Sequence, residues 1–179
     1  MDLEALGARA EITDCLHRYT RGMDRLDREL ARSAYHDDAI DDHAGFVADV
    51  EAFLDWAFDY HASQVRHQHH LTNITIDLDL SVVPAVAHVE SYYTFVASYG
   101  DDAAPVFLTG GRYLDRMERR AGRWAIAARV CTAEWRTKVP SKLTMDAAAV
   151  LAPGFARDRS DVSYERPLIV DAPVEPPRS

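Results

Sequence analysis

Cysteine is nearly absent. Cys15 and Cys131 are the only two in 179 residues, too few for a disulfide framework, and a reduced, cytoplasmic setting is the expectation. No apolar run approaches the ~20 residues that cross a bilayer. The N-terminal stretch MDLEALGARAEITD is acidic and lacks a basic-then-apolar leader, so no secretory signal is visible. Lysine is as scarce as cysteine: Lys138 and Lys142 are the only two of 20 basic residues, the rest being arginine, which reads as a compositional habit. Phosphate-cradling glycine loops, a Walker motif, a Gly-x-Ser-x-Gly elbow and a CxxC pair are also missing.

What is present excludes disorder. At 47% hydrophobic the chain can build a sizeable core, and its length suits one domain with a tail. The net charge of -9 is lopsided. Residues 1–60 carry 15 acidic and 6 basic side chains, whereas residues 61–179 carry 14 of each. Such a surface repels phosphate backbones and anionic lipid, so neither a nucleic acid nor a membrane is an expected partner.

Leu3, Leu6, Ile12, Cys15, Leu16, Tyr19, Met23, Leu26 and Leu30 recur every three or four residues, an amphipathic helix interrupted at Gly22. One long helix, or two breaking near residues 22–25, fits that pattern. The polar stretch HDDAIDDHAGF has room for one brief strand around Ala39–Asp42. Val50, Phe53, Leu54, Ala57, Phe58 and His61 predict a further helix with Asp49 as its cap.

Beyond residue 68 the period falls to two, with Ile74, Ile76, Leu78 and Leu80 alternating against polar residues. Residues 86–99, 106–119 and 123–135 predict three more strands, the last two joined by a turn at Arg120–Gly122. Helices followed by hairpin-linked strands imply an α+β fold with an antiparallel sheet. After Pro140 the pattern fades. A short helix fits residues 143–152, and DAPVEPPRS is a proline-rich tail. This extension could close a pocket mouth or pack on a neighbouring subunit.

Chemistry concentrates in four histidines, His61, His67, His69 and His70. Three readings compete for them. On a strand, His67 and His69 share a face as metal ligands do, but no third ligand stands at a usual spacing. His67 and His70 also read as ordinary polar residues at a strand start. The third reading makes one histidine a general base, which needs a carboxylate to fix its tautomer. Asp24 is the local candidate, an acid on an otherwise apolar stripe between Met23 and Leu26. It is equally placed to cap a second helix. Tyr19 lies about 140° from Asp24 around an unbroken helix, so the two meet in one cavity only if the chain breaks at Gly22. Otherwise Tyr19 is core. The aromatics allow a pocket wall, with Tyr92, Trp56 and Phe53 the chosen members, and alternation lets only one of Tyr92 and Tyr93 face inward. Such a wall suits an aromatic, polyketide-like or steroid-like ligand.

The segments YTRGMDRLDRELARSAYHDDA, HHLTNITIDLD, VESYYTF and GGRYLDRMERRAGRWAIAARV resemble the SnoaL-like domain of the nuclear transport factor 2-like superfamily. The nearest branch contains scytalone dehydratase, bile acid 7α-dehydratase and hexachlorocyclohexane dehydrochlorinase. The resemblance covers roughly residues 3–137, and we set the domain at 1–138 and the extension at 139–179. It implies a cone: a curved antiparallel or mixed sheet wrapped around N-terminal helices, enclosing a deep apolar pocket. It also implies an Asp–His pair, falling on Asp24 and His69 with His70 as the fallback, and a pocket tyrosine at Tyr19. The scytalone dehydratase tyrosine position falls near Asp42, and Arg129 lies close to where other members place an arginine on the last strand. The activity implied is elimination from a small hydrophobic organic substrate without cofactor or metal. Isomerase or cyclase chemistry, or a non-catalytic binding or subunit role, are the alternatives. Dimers or trimers through the outer sheet face are common in the family.

Overall fold

The first apolar stripe forms α1 (Leu3–Asp24), capped by the Asp2 carboxylate accepting from the Ala5 amide at 2.8 Å. Ile12, Cys15, Leu16, Tyr19 and Met23 are its buried face. The helix runs through Gly22 without a break and ends at Asp24, and just beyond its end Leu26 adopts a left-handed φ of 48°. Asp27 then caps α2 (Arg28–Arg32), accepting from the Leu30 amide at 3.1 Å. Glycine at 22 has a packing reason, because a Cβ there would run into the backbone of Ala31 on α2.

The acidic corner is more ordered than its composition predicts. In place of one brief strand it forms a hairpin of β1 (Tyr35–His43) and β2 (Phe46–Asp49), turning at Ala44 and Gly45, both with positive φ. Asp49 caps α3 (Val50–Ala62) as expected. Four long strands follow: β3 (Arg66–Asp79), β4 (Ala85–Ser98), β5 (Val106–Arg120) and β6 (Arg123–Val139). The β5–β6 turn takes positive φ at Ala121 and Gly122, which matches the twist of the hairpin.

The sheet order is β2-β1-β6-β5-β4-β3, with β1 parallel to β6 and every other pair antiparallel. It is therefore a mixed α+β sheet, curled around α1 and α3. Register shifts mark where it bends: between Thr72 and Thr75, where exposed Asn73 has φ 50°, and between Gly110 and Gly111. At Gly110 a Cβ would enter the Trp135 indole.

The structure, a computed structural model, describes residues 2–100, 104–140 and 156–169. The helix expected at 143–152 and the proline-rich tail lie outside them. Residues 156–169 pack on the chain's own α1–α2 corner. Asp161 pairs with Arg25 at 3.5 Å, the Tyr164 hydroxyl donates to Asp27 at 3.1 Å, and Arg21 lies 4.6 Å from the Tyr164 ring. Arg157 donates to the carbonyls of His61 and Gln64.

A buried ion pair sits under the concave face. Arg129 on β6 and Asp115 on β5 are strand partners joined by two bonds of 2.6 and 2.8 Å, both side chains fully buried. The guanidinium lies between the rings of Tyr19 and Tyr113, at 4.2 and 4.3 Å from their centres. Removing one partner of such a pair costs about 3–5 kcal/mol, because the other charge stays buried, whereas replacing both by apolar groups is often neutral. Urea unfolding of Arg129→Met should show a loss of that size, and the Arg129→Met/Asp115→Leu double variant should recover most of it.

Candidate active site

The concave face of the sheet and α3 enclose a cavity of about 620 Å³. Phe53, Ala57 and His61, spaced four apart on α3, form one wall together with Trp56 and Tyr60. The opposing wall comes from His69, Tyr93, Phe95, Tyr113 and Cys131 on four strands, with His43 on β1 and Tyr19 at the floor.

Asp24 does not cap α2, since Asp27 does that. Its Oδ1 accepts from His69 Nδ1 at 2.6 Å, and the His69 backbone amide donates to both carboxylate oxygens at 3.0–3.1 Å. The carboxylate is thus gripped by backbone and side chain of one residue, which fixes the ring and its tautomer. With Nδ1–H committed to Asp24, the lone pair resides on Nε2, the nitrogen left for the cavity. The His69 ring stands 4.6 Å from Phe95 and edge-on to His61 at 5.4 Å.

Asp24, His67 and His69 bring ligand atoms within 4.8 Å of one another, so the structure supplies the third metal-type ligand that spacing alone lacked. The hydrogen bonds argue against that use. His67 Nε2 donates to the Met23 carbonyl at 2.9 Å and its Nδ1 accepts from Arg157 at 3.0 Å, leaving no lone pair directed at Asp24. His67 is a buried, neutral spacer. Burial, with Arg157 and His69 nearby, lowers its pKa to about 4. His61 is held lower still, to about 2, by burial and by His69 and His67.

Four residues expected at the site lie elsewhere, and strand parity is the reason for the first three. His70 and Tyr92 point to the outer face, exposed, with Tyr92 beside Arg112. Tyr93 is the cavity tyrosine, as the outward Glu90 two residues before Tyr92 already signalled. Asp42 also sits on the outer side of β1, where its carboxylate accepts from the Gly45 amide at 2.9 Å. Arg129 does not reach the cavity, being locked to Asp115 beneath Tyr19 and Tyr113. Phe53 and Trp56 do line it. Tyr19 lines it although α1 is unbroken, because the sheet curls beneath that face of the helix, while Asp24 reaches the cavity only through His69.

The inward neighbours of Asp42 form a second acid–imidazole pair that sequence reasoning missed. Asp41, fully buried, accepts from the Tyr35 hydroxyl at 2.7 Å and lies 3.2 Å from His43 Nδ1. His43 stacks on Phe53 at 5.1 Å and faces the cavity. Burial would lower its pKa, but the bonded Asp41 carboxylate and the neighbouring Cys131 prevail and raise it to about 9. Only the Asp-x-His spacing on one strand face signals this pair.

Fold and site together define an α+β cone with an aromatic-walled pocket flanked by two part-buried Asp–His pairs, a fold consistent with nuclear transport factor 2-like proteins. Residues 4–130 match the SnoaL-like domain family, and the chain belongs to it. No curated protein matches the chain. Among solved structures it is similar to a candidate scytalone dehydratase from Novosphingobium aromaticivorans, with TM-score 0.66, 18% identity, and 78% of this chain and 95% of that one covered. It is also similar to LinA, with TM-score 0.69, 20% identity, and 77% and 93% covered. The hexachlorocyclohexane dehydrochlorinase LinA-type3 from Novosphingobium barchaimii gives TM-score 0.65, 19% identity, and 78% and 94% covered. At these identities the likenesses define the fold. No helix among the described residues is long and apolar enough to cross a membrane.

The histidine environments set the pH dependence of stability. His36, lowered to about 4 by burial and by Arg120 and Arg123, joins His61 and His67 in refusing protons that the unfolded chain takes up below about 6.5. Stability should therefore fall as pH drops from 6.5 towards 4. His43 has the opposite sign: its contribution is complete below 6.5 and is lost as pH rises through about 9. Thermal unfolding across pH 4–10 should give a maximum near neutrality, and His43→Gln should remove the alkaline decline specifically. A flat acid limb would contradict the assignment of buried neutral histidines.

Proposed function

We propose that this protein is a cofactor-independent lyase of the dehydratase type, acting on a small hydrophobic substrate of aromatic, polyketide-like or steroid-like character. The observation that carries the reading is the 2.6 Å Asp24–His69 contact at the edge of an aromatic cavity of about 620 Å³. Asp24 holds the productive tautomer and stabilises the imidazolium that forms. His69 Nε2 removes a proton α to a carbonyl and returns it to the departing hydroxyl. Tyr19 donates a hydrogen bond to the oxygen on which charge develops. Phe53, Trp56 and Phe95 exclude water around the reacting atoms.

Two observations favour an enzyme over a binding or subunit role: the interior is hollow, and Asp24 is turned to His69 while Asp27 does the capping. Isomerisation or cyclisation would use the same base on a different substrate. The exposed apolar residues Ile40 and Val130 on the outer sheet face suit association into a homodimer or homotrimer.

Proton abstraction is testable before the natural substrate is known. Aromatic β-hydroxyketones incubated with the protein in D₂O should exchange their α-protons, read by NMR, and release a conjugated enone, read by absorbance. A positioned base is worth about 10²–10⁴-fold, so His69→Ala should lower exchange by that factor and Asp24→Asn should come close to it. Tyr19→Phe should cost about 10²–10³-fold at most. Unchanged exchange in His69→Ala would refute the dyad.

A further inference from the structure

The second acid–imidazole pair has a third member. His43 and Cys131 are Cα partners on the parallel strands β1 and β6 and both face the cavity, so their side chains stand next to one another. A chain of contacts leads towards the thiol: the Tyr35 hydroxyl holds Asp41 at 2.7 Å, Asp41 holds His43 Nδ1 at 3.2 Å, and His43 stands beside Cys131 on the cavity wall. The Cys131 thiol donates to the Tyr93 hydroxyl at 3.7 Å. This is the arrangement that activates a thiol: nucleophile, base, and a third group orienting the base.

We infer that Cys131, with His43 and Asp41, forms a Cys–His–Asp triad, and that this end of the cavity takes apolar α,β-unsaturated carbonyl compounds as covalent, reversible adducts. The other cysteine shows what an ordinary buried thiol looks like here. Cys15 donates to the Ala34 carbonyl at 3.3 Å, touches no imidazole among the described residues, and is pushed up to about 11 by burial. Aromatic rings frame His43, with Phe53 at 5.1 Å, Trp56 at 5.7 Å and Tyr113 at 6.1 Å, which suits a flat conjugated ligand.

The step balances without an oxidant or reductant. The thiolate forms a bond to the β-carbon, the C=C π pair moves to the α-carbon and carbonyl, and the His43 imidazolium gives its proton to the α-carbon. The product is a saturated thioether and a neutral imidazole, and the reverse sequence releases the enone. An imidazolium beside the sulfur favours the thiolate form. The groups that face this relay are Asp41 and Tyr35 on β1, Arg129 and Glu134 on β6, and Asp115 and Tyr113 on β5. Tyr93 on β4, Tyr19 on α1 and His61 on α3 complete the set. Asp115 is neutralised by Arg129, leaving Asp41 as the carboxylate bonded to His43.

The inference rests on the cavity and on β1 and β6, not on Asp24–His69, and its test needs no turnover. The whole protein is treated with N-ethylmaleimide from pH 5.5 to 8.5, and labelling at each cysteine is followed by peptide mass spectrometry. Cys131 should label at least tenfold faster than Cys15. Its rate should change less than threefold between pH 6 and 8, where an ordinary thiol gains about tenfold per pH unit. His43→Gln should restore the ordinary slope and slow labelling at pH 6 at least tenfold, and Asp41→Asn should act in the same direction. His69→Ala should label as the wild type does, so loss of the lyase reading leaves this result intact. The inference is overturned if Cys131 is as inert as Cys15, or if its wild-type rate climbs tenfold per pH unit. The wild-type profile decides the matter even where a variant fails to fold.

Discussion

The structure turns on a charge pair buried where no water reaches it. Arg129 and Asp115 lie opposite each other on β6 and β5, and their bidentate bond holds that register more tightly than backbone ladders alone. The guanidinium then acts as a platform for aromatic rings, with Tyr19 from α1 and Tyr113 from β5 against its faces and Tyr35 from β1 at 5.9 Å. Tyr35 in turn holds Asp41, and Asp41 holds His43. One ion pair thereby ties helix, sheet and cavity floor together, while Arg129 Nη1 has no hydrogen-bond partner among the described residues and faces the aromatic rings instead.

The two acid–imidazole pairs stand on opposite sides of the sheet order, on β1 and β3, with three strands between them. Curvature brings both into one cavity. The distance between them can be read along α3: His43 stacks on Phe53, while His69 meets His61 two helical turns later, about 12 Å along the axis. The cavity is therefore two-ended, with Asp24–His69 on one side and Asp41–His43 on the other. The C-terminal segment reinforces the first end, because Arg157 fixes His67 and the carbonyls of His61 and Gln64 behind it.

Much of this was legible in local pattern. The stripe Ile12–Leu16–Tyr19–Met23, the cap at Asp49, and the change from period 3.6 to period 2 after residue 68 all correspond to observed elements. Asp24 stood out as an acid on an apolar face. Most of the failures share one cause. Choosing Tyr92 over Tyr93, or Asp42 over Asp41, needs the inward parity of a strand, and in short or polar strands the hydrophobic alternation that sets parity is weak. On β1 the inward positions carry Asp41 and His43, so polarity itself misdirects. Arg129 was misread because its partner Asp115 lies 14 residues away, across a hairpin.

The sequence by itself determined the family, the order of helices and strands, and the lopsided distribution of acids, because each is written in periodicity, turn chemistry and composition. Only the tertiary structure decided which acids leave the solvated crowd. Asp24, Asp41 and Asp115 each go inside, since the fold encloses each with a partner: His69 from 45 residues away, Arg129 from 14 away, and His43 two positions along the same strand. A carboxylate stays buried only where such partners converge, and convergence is a property of the closed cone rather than of any local stretch of chain.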